Sequence, residues 1–135
     1  MTISSTVSNR EDRVIRSNVE IKANGETINT LNITAKDGTS TQSAIKSDIA
    51  GTDTIIADDG SITMMTPTIT TNKNQKVNFE IVLNASGEVS PKLSVDGIDI
   101  YLPIFEAGST VSVKKELDKV LLSVETLLNR KITFN

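Results

Sequence analysis

Apolar residues along this chain recur at two spacings. Val19, Ile21 and Ala23 alternate with polar residues, and Leu31, Ile33 and Ala35 do so again. Asn24-Gly25 lies between the two runs and supplies the positive φ values of a tight turn. The pattern predicts strands near 17–23 and 27–35 joined as a hairpin, with Asp37-Gly38 ending the second. DTIIADDGSITMMTPTITT predicts a second hairpin around Asp59-Gly60. Pro67 donates no amide hydrogen bond, so its strand ends there or keeps to an edge. The strongest pattern is KVNFEIVLNASGEVSPKLSVDGIDIYLPIF. Val77, Phe79, Ile81 and Leu83 fill one face of a strand, and NASGE closes a hairpin. Val89, Leu93 and Val95 follow, with Pro91 marking an edge or a bulge. Asp96-Gly97 then turns the chain into Ile98, Ile100 and Leu102, giving a three-stranded antiparallel meander. Asp99 and Tyr101 alternate with those residues, as expected where one face is wet.

The C-terminal segment reads differently. At about 100° per residue, Leu117, Val120, Leu121, Val124, Leu127 and Leu128 fall in one apolar stripe. That spacing predicts a helix over 112–130 with Ser109, Thr110 or Ser112 as its cap. Arg130 and Lys131 suit its C-terminal end. The stripe would roof the apolar side of the sheet. Leu122 does not fit, because it points among Lys115, Asp118, Lys119 and Thr126. Three readings stand: an ordinary exposed leucine, a leucine that docks into a neighbouring subunit, or a helix held between two sheets. KITFN returns as a short last strand.

Two stretches are less regular. Residues 39–52 carry Ala44, Ile45 and Ile49 at helical spacing before Gly51, and read as a short helix or a surface loop. Residues 1–16 read as a flexible arm. Within it Ser8 and Glu11 match a capping box, and one or two helical turns would line up Arg10, Arg13 and Arg16. The expected fold is therefore α+β and mainly antiparallel β, a sandwich or partly open barrel of about 7–8 strands. It forms one domain over 17–135, with one long C-terminal helix packed on the sheet.

Composition narrows the function more than the fold. The 135 residues carry a net charge of −3, which gives no strong field and argues against bulk electrostatic binding of nucleic acid. Aromatics make up only 3% with no Trp, so Ile, Val and Leu must build the core. There is no Cys and no His, which removes disulfides, thiolate chemistry, the commonest general base and the soft metal ligands. No glycine-rich phosphate loop appears, and no cofactor is expected. Asp58-Asp59 sits where aspartate is simply a good turn former. Asp53, Asp58 and Asp59 could offer oxygens to Ca²⁺, although the EF-hand pattern is missing. Asn32-Ile-Thr34 and Asn84-Ala-Ser86 match a glycosylation pattern that Asn-, Ser- and Thr-rich chains produce by chance. Tyr101 and Phe105 form a possible aromatic pair near the meander edge.

No signal peptide or membrane span is visible, so a soluble protein, cytoplasmic or in a virion, is expected. Without catalytic equipment, the reading is a non-enzymatic structural or assembly protein. It would pair with itself or with other structural proteins, as an accessory in the head or tail of a virus or phage particle would, and not with nucleic acid or membrane. Leu122, Lys115, Lys119, Arg10, Arg13 and Arg16 are the candidate interface. The alternative is a binding module or inhibitor that docks through loops 36–53 and 84–88.

Overall fold

The computed structural model describes residues 1–10, 12–117, 119–126 and 131–134. Among them there is no helix, and the chain is all-β. One sheet joins seven strands: β1 (Thr2–Arg10), β2 (Arg13–Ile21), β3 (Thr27–Thr34), β4 (Ser40–Ser47), β11 (Thr110–Glu116), β12 (Lys119–Glu125) and β13 (Lys131–Phe134), in that spatial order. The other runs β10 (Ile98–Tyr101), β9 (Val89–Val95), β8 (Lys76–Leu83), β6 (Ile62–Met65) and β5 (Asp53–Ile56), with β7 (Ile69–Thr70) also paired to β8. Every pairing is antiparallel except β4 with β11, where the chain re-enters the first sheet after building the second.

The expected helix over 112–130 is the main correction. Its described part is the hairpin of β11 and β12, with Glu116 opposite Lys119. Residues 127–130 lie outside the described residues. The same letters carry a period of two: Val111 and Val113, then Val120, Leu122 and Val124, all point to one side and are buried. Leu122, the misfit of the helical stripe, is fully buried between Val120 and Val124. Leu117, which the stripe placed inside, is fully exposed at the hairpin tip with φ of 38°. Valines and serines lose little in an extended strand, whereas β-branched side chains crowd a helix. Sheet pairing on both flanks of β12 then decides the conformation.

The stretch 39–52 is neither helix nor loop throughout, since β4 occupies its first half inside the seven-stranded sheet. Ala44 and Ile45 are neighbours on opposite faces and both are buried, which imitates helical spacing. Residues 1–16, expected as an arm with a capped turn, supply β1 and the start of β2. The alternation in β2 explains the second half: Ile15, Ser17 and Val19 are buried and Arg16 is exposed. The meander, the hairpin around Asp59-Gly60 and the last strand all form as expected.

Five hairpin loops share one turn, in KANGE, AKDGT, ADDGS, TNKNQ and NASGE. In each, the first residue's carbonyl accepts from the fourth residue's amide, and its own amide donates to the fifth residue's carbonyl. The fourth residue is Gly, or Asn74 at φ of 59°, because the turn needs a left-handed residue there. The tight turn at Asn24-Gly25 is thus a three-residue loop in which Gly25 has a positive φ of 90° and Asn24 does not, so the pair supplies one left-handed residue and not two.

One core lies between the sheets. Ile15, Leu31, Ile45, Val111, Leu122 and Val124 come from one side, and Ile62, Met64, Phe79, Ile81, Leu83 and Val89 from the other. Two serines of the seven-stranded sheet tie it to loop tips of the second. Ser17 donates to Gly60 O, and Ser43 donates to Gly87 O at 2.7 Å while accepting from Gly108 N–H at 2.8 Å. A Cβ on Gly60 would stand 2.8 Å from Ile15, so this contact requires glycine.

Candidate functional site

The second sheet ends at β10, and every residue of that strand is exposed. Its position follows from the two-residue turn before it. Asp96 at φ of 51° and Gly97 at φ of 85° give a primed turn whose twist suits a hairpin. The turn is anchored from β8: Asp96 N–H donates to Lys76 O and Lys76 N–H donates to the Asp96 carboxylate, each at 2.8 Å. Ile98 stands opposite Val95, which is opposite Val77, and Ile100 stands opposite Leu93, which is opposite Phe79. These rows face the inside of the sandwich. Yet Ile98 is 69% exposed and Ile100 43% exposed, so the covering sheet does not reach the end of the rows.

Between the sheets at this end a groove of about 550 Å³ opens. Its apolar wall is Val77, Phe79, Leu93, Val95, Leu102 and Val120, and Lys73 and Lys119 stand among the polar residues at its rim. Tyr101 (77% exposed) lies on the opposite, outer face of β10, and Ile104 (65% exposed) follows in the connector. On the outer face, Lys92 reaches Glu80 at 3.1 Å and Asp99 at 3.9 Å. The hydrogen bond to Glu80, with its charge and that of Asp99, raises the Lys92 pKa above its ordinary value.

The residues picked from sequence do not gather here. Leu122 is unavailable to a neighbouring subunit, because it is fully buried in the core of its own chain. Lys115 and Lys119 are exposed near the β11–β12 tip, and only Lys119 borders the groove. Arg16 is exposed on β2 and Arg13 is half-buried. Arg10 pairs with Arg13 across the β1–β2 connection, so the three arginines share strands instead of one helical face. The Arg10 side chain and Glu11 lie outside what is described. Asp59 does the work of a turn former, accepting from Ser61 N–H at 2.9 Å and Ser61 O–H at 2.7 Å. Among the described residues, no group of three or more acidic side chains could hold a metal ion. Asn84 likewise caps its own loop, accepting from the N–H groups of Ser86 and Glu88 at 3.1 and 3.0 Å.

The aromatic pair separates: Tyr101 is exposed while Phe105 is buried at 8% and bridges to Val89. Sequence reasoning placed the meander correctly but missed that its last strand is an uncovered edge. No signal in the sequence could have shown this, because the later apolar runs around Val111–Val113 and Val120–Val124 could equally have paired beside Ile98–Tyr101, and only the fold places them in the other sheet. Among the described residues no helix is long and apolar enough to cross a membrane. No family model matches this chain, and no curated protein or solved structure gives a match either.

Proposed function

We propose that this chain is a non-enzymatic assembly protein that associates with copies of itself. The observation carrying the proposal is the apolar edge: Ile98, Ile100 and Tyr101 are exposed on a terminal strand beside an apolar groove. Soluble proteins usually guard such edges with charge, proline or a covering element. An uncovered apolar patch continuous with a groove marks an interaction surface. The absence of His and Cys from the sequence removes the commonest proton-transfer and nucleophilic groups, which favours assembly over catalysis.

A role in a virus or phage particle is the narrower form of this proposal. Residues 1–10 and the described part of the C-terminal segment are strands of the seven-stranded sheet, not an arm and a covering helix, so the apolar edge supports self-association more directly than this narrower role. Docking through loops 36–53 and 84–88 draws less support. Much of the first loop is the interior strand β4, and the tip of the second turns inward with Gly87 buried against Ser43 and Ile33. The test is mass by light scattering over a wide concentration range. A mass that rises with concentration is expected, and a monomer at the highest concentration reached would refute self-assembly.

A further inference from the structure

We propose that two copies of this chain join edge to edge through β10, antiparallel about a two-fold axis at Ile100, with Asp99 of each copy opposite Tyr101 of the other. The inference rests on the self-assembly reading and adds its surface and its register.

Backbone direction comes first. Leu102 N–H donates to Pro91 O at 3.1 Å, so residue 102 turns its amide toward β9. Ile98 and Val95 flank a two-residue turn, which makes them a hydrogen-bonded pair. Backbone groups alternate sides along a strand, so Ile98, Ile100 and Leu102 face β9. Asp99 and Tyr101 therefore turn their N–H and C=O groups to the open side. Those are the groups that an added strand must meet.

Few registers satisfy them. A two-fold axis normal to the sheet keeps each face on its own side and pairs residues whose numbers have a constant even sum. Pairing Asp99 with Asp99 sets two carboxylates directly opposite, which is unfavourable. Pairing Tyr101 with Tyr101 sets Asp99 against Pro103, which has no N–H to give. That register also needs a straight edge beyond Leu102, but Tyr101 pairs with Lys92 while Phe105 pairs with Val89, a one-residue shift that bends the strand. With Ile100 on the axis, Asp99 and Tyr101 exchange both backbone bonds on each side of it. All four outward groups of each copy are then used.

The side chains agree with that register. On the inner face Ile98, Ile100 and Leu102 of one copy stand beside Leu102, Ile100 and Ile98 of the second, continuing the rows that the covering sheet leaves open. On the outer face each Tyr101 stands beside the Asp99 and Lys92 cluster of the second copy. Pairing is isologous, so it consumes the edge and closes at two copies. So short a seam buries less than the roughly 1,600 Å² of a standard interface. The dimer is accordingly expected to dissociate on dilution.

The chain contains no Cys, so single-cysteine variants report the register without background. Ile100→Cys would face itself at a non-hydrogen-bonded position about 4.5 Å apart between Cα atoms, within disulfide reach. Mild oxidation should give a covalent dimer of Ile100→Cys and none of Asp99→Cys alone. A mixture of Asp99→Cys with Tyr101→Cys should cross-link. Ile55→Cys, on the opposite edge strand β5, is the control. Tyr101→Pro removes the N–H that β10 turns to its open side, and should yield a folded monomer by circular dichroism and light scattering. If the wild type dimerises but Ile100→Cys cross-links no better than the control, the β10 seam is wrong while self-assembly stands. Efficient cross-linking of Asp99→Cys alone, or a Tyr101→Pro variant that still dimerises, also overturns the proposal. A wild type that stays monomeric overturns both readings.

Discussion

Leu122 and Leu117 exchange roles between a helical and a hairpin C-terminus, so two substitutions decide between the conformations. Leu122 is 0% exposed and Leu117 is fully exposed at φ of 38°. Leu122→Ala removes three buried carbons from a position between Val120 and Val124 on the inner face. A leucine truncated in a core costs about 2–5 kcal/mol, from lost transfer energy plus the cavity left behind. Here β12 is hydrogen-bonded to β11 on one side and β13 on the other, so the backbone cannot settle into the gap. The upper part of that range, about 3.5–5 kcal/mol, is therefore expected. For a domain of this size the midpoint of thermal unfolding should fall by roughly 10–20 °C. Leu117→Gly acts in the opposite sense. It removes an exposed side chain from a left-handed residue, where glycine fits without strain, and should be neutral or stabilising by up to about 1 kcal/mol. In a helix interior the same change would cost about 1 kcal/mol in propensity alone, beyond any lost burial. Urea and thermal denaturation of both variants, followed by circular dichroism, give the comparison. If Leu117→Gly proves the more damaging of the two, the hairpin assignment is wrong.

Two further outcomes follow from the loops. Ser43→Ala deprives Gly87 O and Gly108 N–H of the hydroxyl that joins them, at about 1–3 kcal/mol for the buried Gly87 carbonyl left unsatisfied and less for the half-buried Gly108 amide. An unchanged urea midpoint would show that the serine does not tie the sheets together. The Asp37 carboxylate accepts from the Thr39 side chain and, at 2.9 Å, from Thr39 N–H, which lowers its pKa below 3.8. A depressed acid favours the folded state above its unfolded pKa, so this contribution holds above pH 3.8 and fades as pH falls through the folded value. A carboxyl NMR titration should place the midpoint below 3.8, and Thr39→Ala should move it back upward, while no movement would discount the hydroxyl.

By itself the sequence determined the hairpins of the β-rich centre. Its turn residues and its period of two at Val77–Leu83 and Ile98–Leu102 are local, and no competing pattern overlies them. It also determined the aliphatic core and the lack of His and Cys chemistry. Tertiary structure alone decided the C-terminal segment, where the spacing of Val120, Leu121 and Val124 fits a helix and that of Val120, Leu122 and Val124 fits a strand. The choice was made by partners far along the chain: β4 lies parallel to β11, pairing residues more than sixty positions apart. It likewise decided that β10 is left as an open edge. Whether a strand is flanked depends on where every other strand lies, and the residues of that strand carry no record of it.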